Sequence, residues 1–208
     1  MSIYRDIVLP RLVERTLSNR QAERLRQSCL SSLSGTVLEI GFGSGLNLPF
    51  YPEAVGRLLA CDPSKGARNL AKDRLDNSRI PVEFVGVQGE EIPLENESVD
   101  HVVTTWTLCT IPDAMQAMKE VRRVLKAGGR FHFLEHGRAR DESVARWQDW
   151  LNPIQKLVGG GCHLNRRIDD IVLSGGFDMR LFENFFIKGP RIGSFMYRGV
   201  AERNGAGQ

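Results

Sequence analysis

A mainly parallel α/β sheet with helices on both faces is the fold this chain predicts, and three observations predict it. Short apolar runs alternate with helical segments along most of the sequence, the pattern of parallel strands joined by crossover helices. The first run, 36–40, breaks directly into a turn with glycine at 41, 43 and 45, where a chain leaves a strand sharply and lets a ligand approach its backbone. The chain then closes with two extended segments, 179–187 and 193–200.

Taken in order, residues 3–33 read as a helical region. Ile3, Ile7, Val8, Leu12, Val13 and Leu17 form an apolar face and Arg5, Arg11, Arg15 and Arg20 a basic one, with Pro10 interrupting it. Such a segment serves either as a cover over the site or as a helix lying on a membrane surface. Strands follow at 36–40, 57–61, 82–87, 98–105 and 129–134. A helix is expected after the first strand, a polar helix at 67–76 after the second, and a helix at 114–125 before the turn that opens the fifth. Beyond it, Val144, Trp147, Leu151, Ile154 and Leu157 recur at helical spacing, interrupted at Pro153 and ended by three glycines at 159–161. The spacing predicts a further helix over 165–174, with Asn165 as its N-cap.

At 208 residues the chain fits one domain, with 1–34 as an N-terminal helical part and 137–165 as an insertion after the fifth strand. The balance of 28 basic against 25 acidic residues, a formal charge of +3, shows no basic stripe, so no nucleic-acid partner is expected. Cys29, Cys61, Cys109 and Cys162 are scattered without C-x-x-C spacing, so neither a metal site nor a disulfide framework is implied. No secretory signal is read and no apolar run approaches the roughly 20 residues that span a bilayer, which leaves a reducing cytoplasm as the expected location.

The chemistry is concentrated in Thr36–Asn47, TVLEIGFGSGLN. A dinucleotide fingerprint wants glycine at the sixth position of its motif, where this chain has Leu46. Glu39 in front of the turn would repel a pyrophosphate and suits a ligand carrying ammonium or sulfonium charge; S-adenosylmethionine carries both. Glu39, Gly41, Phe42, Gly43, Ser44, Gly45 and Asn47 are therefore cofactor candidates, and the N-terminus of the expected next helix would receive the cofactor's carboxylate. Asp62, 21 positions after Gly41, stands at the end of the second strand with Pro63 and Ser64, where an acid accepts hydrogen bonds from ribose hydroxyls. Thr105, Thr107 and Leu108 lie just past the fourth strand, where ligands bind in an open sheet.

These features, together with Val121-Arg122-Arg123-Val124-Leu125-Lys126-Ala127-Gly128-Gly129, resemble the class I S-adenosylmethionine-dependent methyltransferases. The resemblance implies a Rossmann-like seven-stranded sheet whose last strand is antiparallel. More narrowly, Thr107–Thr110, Leu134–His136 and Gly161–Arg166 resemble the methyltransferase type 11 subgroup that includes animal membrane-associated alkyl-thiol methyltransferases. It implies that the loop bearing Gln88, Gly89 and Glu90 lies beside the adenine, with Gln88 where the family pattern has Asp; an amide carbonyl still accepts a hydrogen bond there. Glu90 and Glu91 read alternatively as a solvated loop. The carbonyls around Thr105, Thr107 and Leu108 would face the methionine part of the cofactor, the N-terminal helical part, 1–34, would cover the site, and the insertion 137–165 would form a lid on the acceptor side.

On the acceptor side, Glu135 and His136 end the fifth strand facing the crevice. His136 is the candidate base or acceptor-positioning residue, or a histidine that hydrogen-bonds the turn. His163 and Arg166 either close over the acceptor as a lid or belong to a flexible loop with a solvated arginine face. Trp147 and Trp150 read as core or lid packing, Cys109 as packing, and His101 and His132 as structural. The function expected is methyl transfer to a small, largely apolar acceptor, with a thiol favoured and S-adenosylhomocysteine as the product. N-, O- or C-methylation of a lipid headgroup, quinone or other metabolite is the alternative. A non-catalytic binding module is the third reading, against which the intact set Glu39, Gly41, Gly43 and Asp62 stands.

Overall fold

The computed structural model describes residues 3–203. Seven strands, β1 (Gly35–Ile40), β2 (Val55–Cys61), β3 (Val82–Gly86), β4 (Val99–Thr105), β5 (Leu125–His136), β6 (Phe177–Phe186) and β7 (Phe195–Arg203), form one sheet in the order β3-β2-β1-β4-β5-β7-β6. Neighbours from β3 through β5 pair parallel, and β7 runs antiparallel to both β5 and β6. The expected seven-stranded sheet with an antiparallel last strand is the sheet observed. Its strands are buried on both faces because their side chains alternate between two cores. Leu38, Ile40 and Val102 join one with Met118, Val121 and Phe131, while Val37 and Val103 join the other with Leu30, Leu33 and Leu58.

The helices are α1 (Leu9–Leu17), α2 (Arg20–Leu30), α3 (Lys65–Leu70), α4 (Lys72–Asp76), α5 (Ala114–Val124), α6 (Glu142–Val158) and α7 (Ile168–Ser174). Several depart from the sequence expectation. The N-terminal region is two helices, divided where Asn19 caps α2 through the backbone N–H groups of Gln21 and Ala22. Pro10 does not end the first helix but interrupts its regular winding: the turn before α1, Tyr4–Val8, is π-helical, with Leu9 N donating to Tyr4 O, and runs straight into α1, a widening that accommodates a residue without an N–H. No α-helix follows β1; the segment makes only a single 3₁₀ turn, Leu48–Phe50, since Pro49 and Pro52 leave too little chain for an uninterrupted helix. The expected 67–76 helix is broken at Ala71 into α3 and α4. Conversely α6 runs unbroken through Pro153. Asp149, whose carbonyl loses its partner there, and Pro153 itself are both exposed, so water can replace the bond. Asn165 caps no helix: α7 starts at Ile168 after Arg167, and the Asn165 amide donates to Asp149 Oδ1 (2.8 Å).

His101 and His132 are structural, as expected. His132 is fully buried with its Nε2 3.2 Å from His101 Nδ1 across the β4–β5 pair. Burial, reinforced by His101, holds the His132 pKa down to about 4. A histidine depressed in the native state binds fewer protons than the unfolded chain over that range, so its contribution is complete above pH ~6.5 and disappears as pH falls toward 4. Urea denaturation is expected to show up to about 3 kcal/mol of stability lost from this group between those limits. His132→Leu should flatten that slope whatever it does to stability at pH 7, and a slope unchanged by the substitution would assign the acid sensitivity elsewhere.

Candidate active site

Sheet register brings the predicted cofactor residues to one edge. Ile40 pairs with Cys61 of β2 and with Thr104 of β4, so the glycine turn leaves the sheet between Asp62 on one side and Thr105–Thr107 on the other. Gly41 adopts φ 80°, and a Cβ on it would lie 2.0 Å from Thr107 Oγ1; only glycine fits against that loop. At Gly43, φ 59°, a Cβ would meet nothing nearer than Gly41 O at 3.9 Å. Backbone is therefore open to a ligand at this point. Asp62 lies beside it, buried, its Oδ2 accepting from Gly43 N and its Oδ1 from Ser64 N, both at 2.7 Å. Ser64 caps α3 through Ala67 N, and Arg74 donates to Ser44 O (2.9 Å).

Glu39 points inward. Its Oε1 accepts from Asn47 Nδ2 (2.6 Å) and its Oε2 from the Tyr51 hydroxyl (2.8 Å). Burial pushes its carboxyl up to about 7, against the hydrogen bonds from Tyr51 and Asn47, so it is only part-ionised at neutral pH. Arg26 from α2 completes the cluster, donating to Asn47 Oδ1 (2.8 Å) and Thr105 Oγ1 (3.1 Å) and lying 4.6 Å over the Trp106 ring. Trp106 itself has φ 51°, an unusual conformation for a bulky residue of the kind found where function over-determines the backbone. Neither Arg26 nor Trp106 was singled out from the sequence. A signal for the first was present: Ala22, Cys29, Leu30 and Leu33 are buried at helical spacing, and Arg26 falls on the same face.

In the third-strand loop, Gln88 is exposed and Gly89 buried, while Glu90 Oε1 accepts from Asp113 N (3.3 Å) and its carbonyl from Gln116 Nε2 (3.5 Å). Glu90 thus ties the loop to the start of α5. Pro63 is exposed and Phe42 is buried edge-on to Phe84.

The acceptor-side expectations need more correction. Glu135 does not face a crevice. It is fully buried and its two oxygens accept from Thr107 N (3.1 Å) and Cys109 N (3.4 Å), so it anchors the loop after β4. Arg166 is no solvated cation; its guanidinium donates to the carbonyls of Leu108, Ile111 (both 2.6 Å) and Pro112 (3.2 Å). His163 holds the same loop, its N–H donating to Cys109 O (2.9 Å) and its Nδ1 lying 3.2 Å from that oxygen. Trp147 and Trp150 pack edge-on to each other but are 56 % and 67 % exposed, and so are not core. His136 Nε2 lies 2.7 Å from Cys162 Sγ, and its buried Nδ1 has no hydrogen-bond partner among the described residues. Cys162 Sγ is in turn 3.7 Å from Cys109 Sγ. Two cysteines that looked scattered are thus neighbours, brought together by the loops after β4 and α6.

A family profile described as a methyltransferase domain matches residues 38–133, the span from β1 into β5. The chain is 36% identical over 135 residues to thiol S-methyltransferase TMT1B of Rattus norvegicus, covering 63% of this chain and 55% of the relative, and 35% identical over 161 residues to the Homo sapiens protein of the same name, covering 72% and 66%. It thus spans little more than half the length of the rat relative. A solved S-adenosylmethionine-dependent methyltransferase of Thermotoga maritima shares the fold, with TM-score 0.65 at 22% identity over 92% of this chain and 97% of that one. Residues 38–133 thus carry a methyltransferase domain, and the chain has the fold of the class I S-adenosylmethionine-dependent methyltransferases, the class whose cofactor is S-adenosylmethionine. No helix among the described residues is long and apolar enough to cross a membrane.

Proposed function

We propose that this chain transfers the methyl group of S-adenosylmethionine to the sulfur of a small, largely apolar thiol. The observation that carries the methyl-transfer reading is the convergence of the open Gly43 backbone, Asp62 and the Thr105–Leu108 loop at the carboxyl ends of three adjacent strands. Support for a thiol comes from the names of the rat and human relatives.

Asp62 would hold the ribose hydroxyls with the lone pairs left free by Gly43 and Ser64, and the carbonyls of Thr105 and Trp106, ahead of those that Thr110, Ile111 and Arg166 occupy at Thr107 and Leu108, would receive the cofactor's positive end. When bound, the cofactor supplies an already activated sulfonium methyl. What remains for this chain is alignment of the acceptor sulfur behind that methyl and exclusion of water. Glu135 and Arg166 do this by fixing the 107–112 loop from both sides, and α1 with the turn Tyr4–Val8 before it covers the cofactor side, since Glu14 of α1 pairs with Arg74 (2.7 Å) and a Cβ at Gly66 would strike Asp6 O of that turn. A thiol with pKa near ~8.5 is already partly ionised at neutral pH, so no base is demanded of His136, whose Nε2 is turned to Cys162.

Label transfer from S-adenosylmethionine to a panel of small thiols, amines, phenols and lipid headgroups tests the reading. Turnover is expected with apolar thiols. Labelling confined to amines, phenols or headgroups would replace the acceptor, and no labelling despite cofactor binding would leave a binding module.

A further inference from the structure

Three soft or borderline ligand atoms converge beside the loop that Glu135 and Arg166 hold. Cys109 follows β4, His136 ends β5 and Cys162 follows α6, and their Sγ, Nε2 and Sγ atoms all lie within 4.8 Å of one another. We propose that Cys109, His136 and Cys162 form a binding site for a thiophilic divalent ion, Zn²⁺ by its chemistry.

The geometry supports it. Two Zn–S bonds of about 2.3 Å at the tetrahedral angle separate the sulfurs by about 3.75 Å, and the Cys109–Cys162 separation is 3.7 Å. A Zn–N bond of about 2.0 Å places nitrogen about 3.5 Å from each sulfur, so the His136 ring, now 2.7 Å from Cys162 Sγ, draws back by about 0.8 Å to admit the ion. Two thiolates and an imidazole are the donor set that selects zinc over magnesium or calcium. The ligands are also held from behind, as metal ligands are. Cys109 N donates to Glu135 and Cys109 O accepts from His163 N, while His136 extends a strand paired with Met196 of β7. Nε2 is the ring nitrogen turned to the sulfurs, while Nδ1 has no partner among the described residues, so the outer hydrogen bond common to ligating imidazoles is not made there. Three protein ligands leave the fourth tetrahedral position to water or another small donor. Cys29 and Cys61, the other buried thiols, belong to no such group among the described residues. The site stands independently of which acceptor is methylated.

Cobalt titration of the chelator-stripped, reduced full chain, with all four thiols counted beforehand, tests the proposal without activity. One equivalent of Co²⁺ is expected to give the near-ultraviolet thiolate-to-cobalt band and strong visible bands of a tetrahedral site, and Zn²⁺ should displace it. Cys109→Ser and Cys162→Ser should each weaken binding at least ~100-fold, whereas Cys29→Ser/Cys61→Ser should bind as wild type, with folding of every variant checked by circular dichroism. No band from the reduced wild-type chain at one equivalent would overturn the site, as would a band that survives Cys109→Ser/Cys162→Ser. If those variants fail to fold, the wild-type titration decides alone.

Discussion

Asp62→Ala is expected to weaken binding of S-adenosylmethionine and S-adenosylhomocysteine at least ~100-fold while the chain stays folded. Asp62 is 6 % exposed at the end of β2 and receives Gly43 N and Ser64 N at 2.7 Å. It therefore does two things at once: it shapes the glycine turn from the side and presents its spare lone pairs to a diol. A hydrogen bond to a charged acceptor contributes about 1.5–3 kcal/mol, and every ~1.4 kcal/mol is tenfold in affinity, so losing two ribose contacts alone reaches ~100-fold. Release of the Gly43 amide adds to it by loosening the backbone the ligand approaches. Asp62→Asn should be nearly as poor, because one amide edge would set N–H against the N–H of Gly43 or Ser64. Calorimetric titration with S-adenosylhomocysteine, beside thermal melts, measures both. Affinity unchanged in the alanine variant would remove Asp62 from the cofactor site.

That these residues lie together was legible because their signals are local. A strand, three glycines and an acid at the end of the next strand lie within 36–62, and parallel register alone brings them to one edge. The sheet was legible for the same reason, its strands carrying apolar side chains on both faces. Prolines were harder, since their effect depends on context: Pro10 follows a π-helical turn, Pro153 sits on an exposed side, and Pro49 with Pro52 removes a helix outright. The acceptor side was misread because its chemistry is made by tertiary pairing. Cys109, His136 and Cys162 come from three separate loops or strand ends, and no spacing rule links them. Glu135 alternates with Leu134 on a strand buried on both faces, so its carboxylate had to turn to backbone donors in place of solvent.

Arg26→Met is expected to cost about 3 kcal/mol of stability at pH 8, the low end for breaking a buried charge cluster, and less at pH 6. Arg26, 4 % exposed, is the group that joins α2 to the glycine turn and the β4 loop, through Asn47 and Thr105. Methionine keeps much of the aliphatic stem but leaves Asn47 Oδ1 without its donor and Glu39 without the nearby positive charge that helps hold its pKa down. The pH dependence follows from Glu39. Its folded pKa, about 7, lies above the unfolded value of ~4.3, so the cost of burying it builds as pH rises from ~4.3 to 7 and is complete above 7. Without Arg26 that pKa rises further and the deficit widens on the alkaline side. Urea denaturation at pH 6 and 8 reads this directly, and Glu39→Gln provides the second arm of a double-mutant cycle. Glu39→Gln is expected to recover part of the Arg26→Met loss at pH 8 and little at pH 6. Additive losses at both pH values would mean that Arg26 acts only as a hydrogen-bond donor to Asn47 and Thr105, and that the charge on Glu39 is balanced elsewhere.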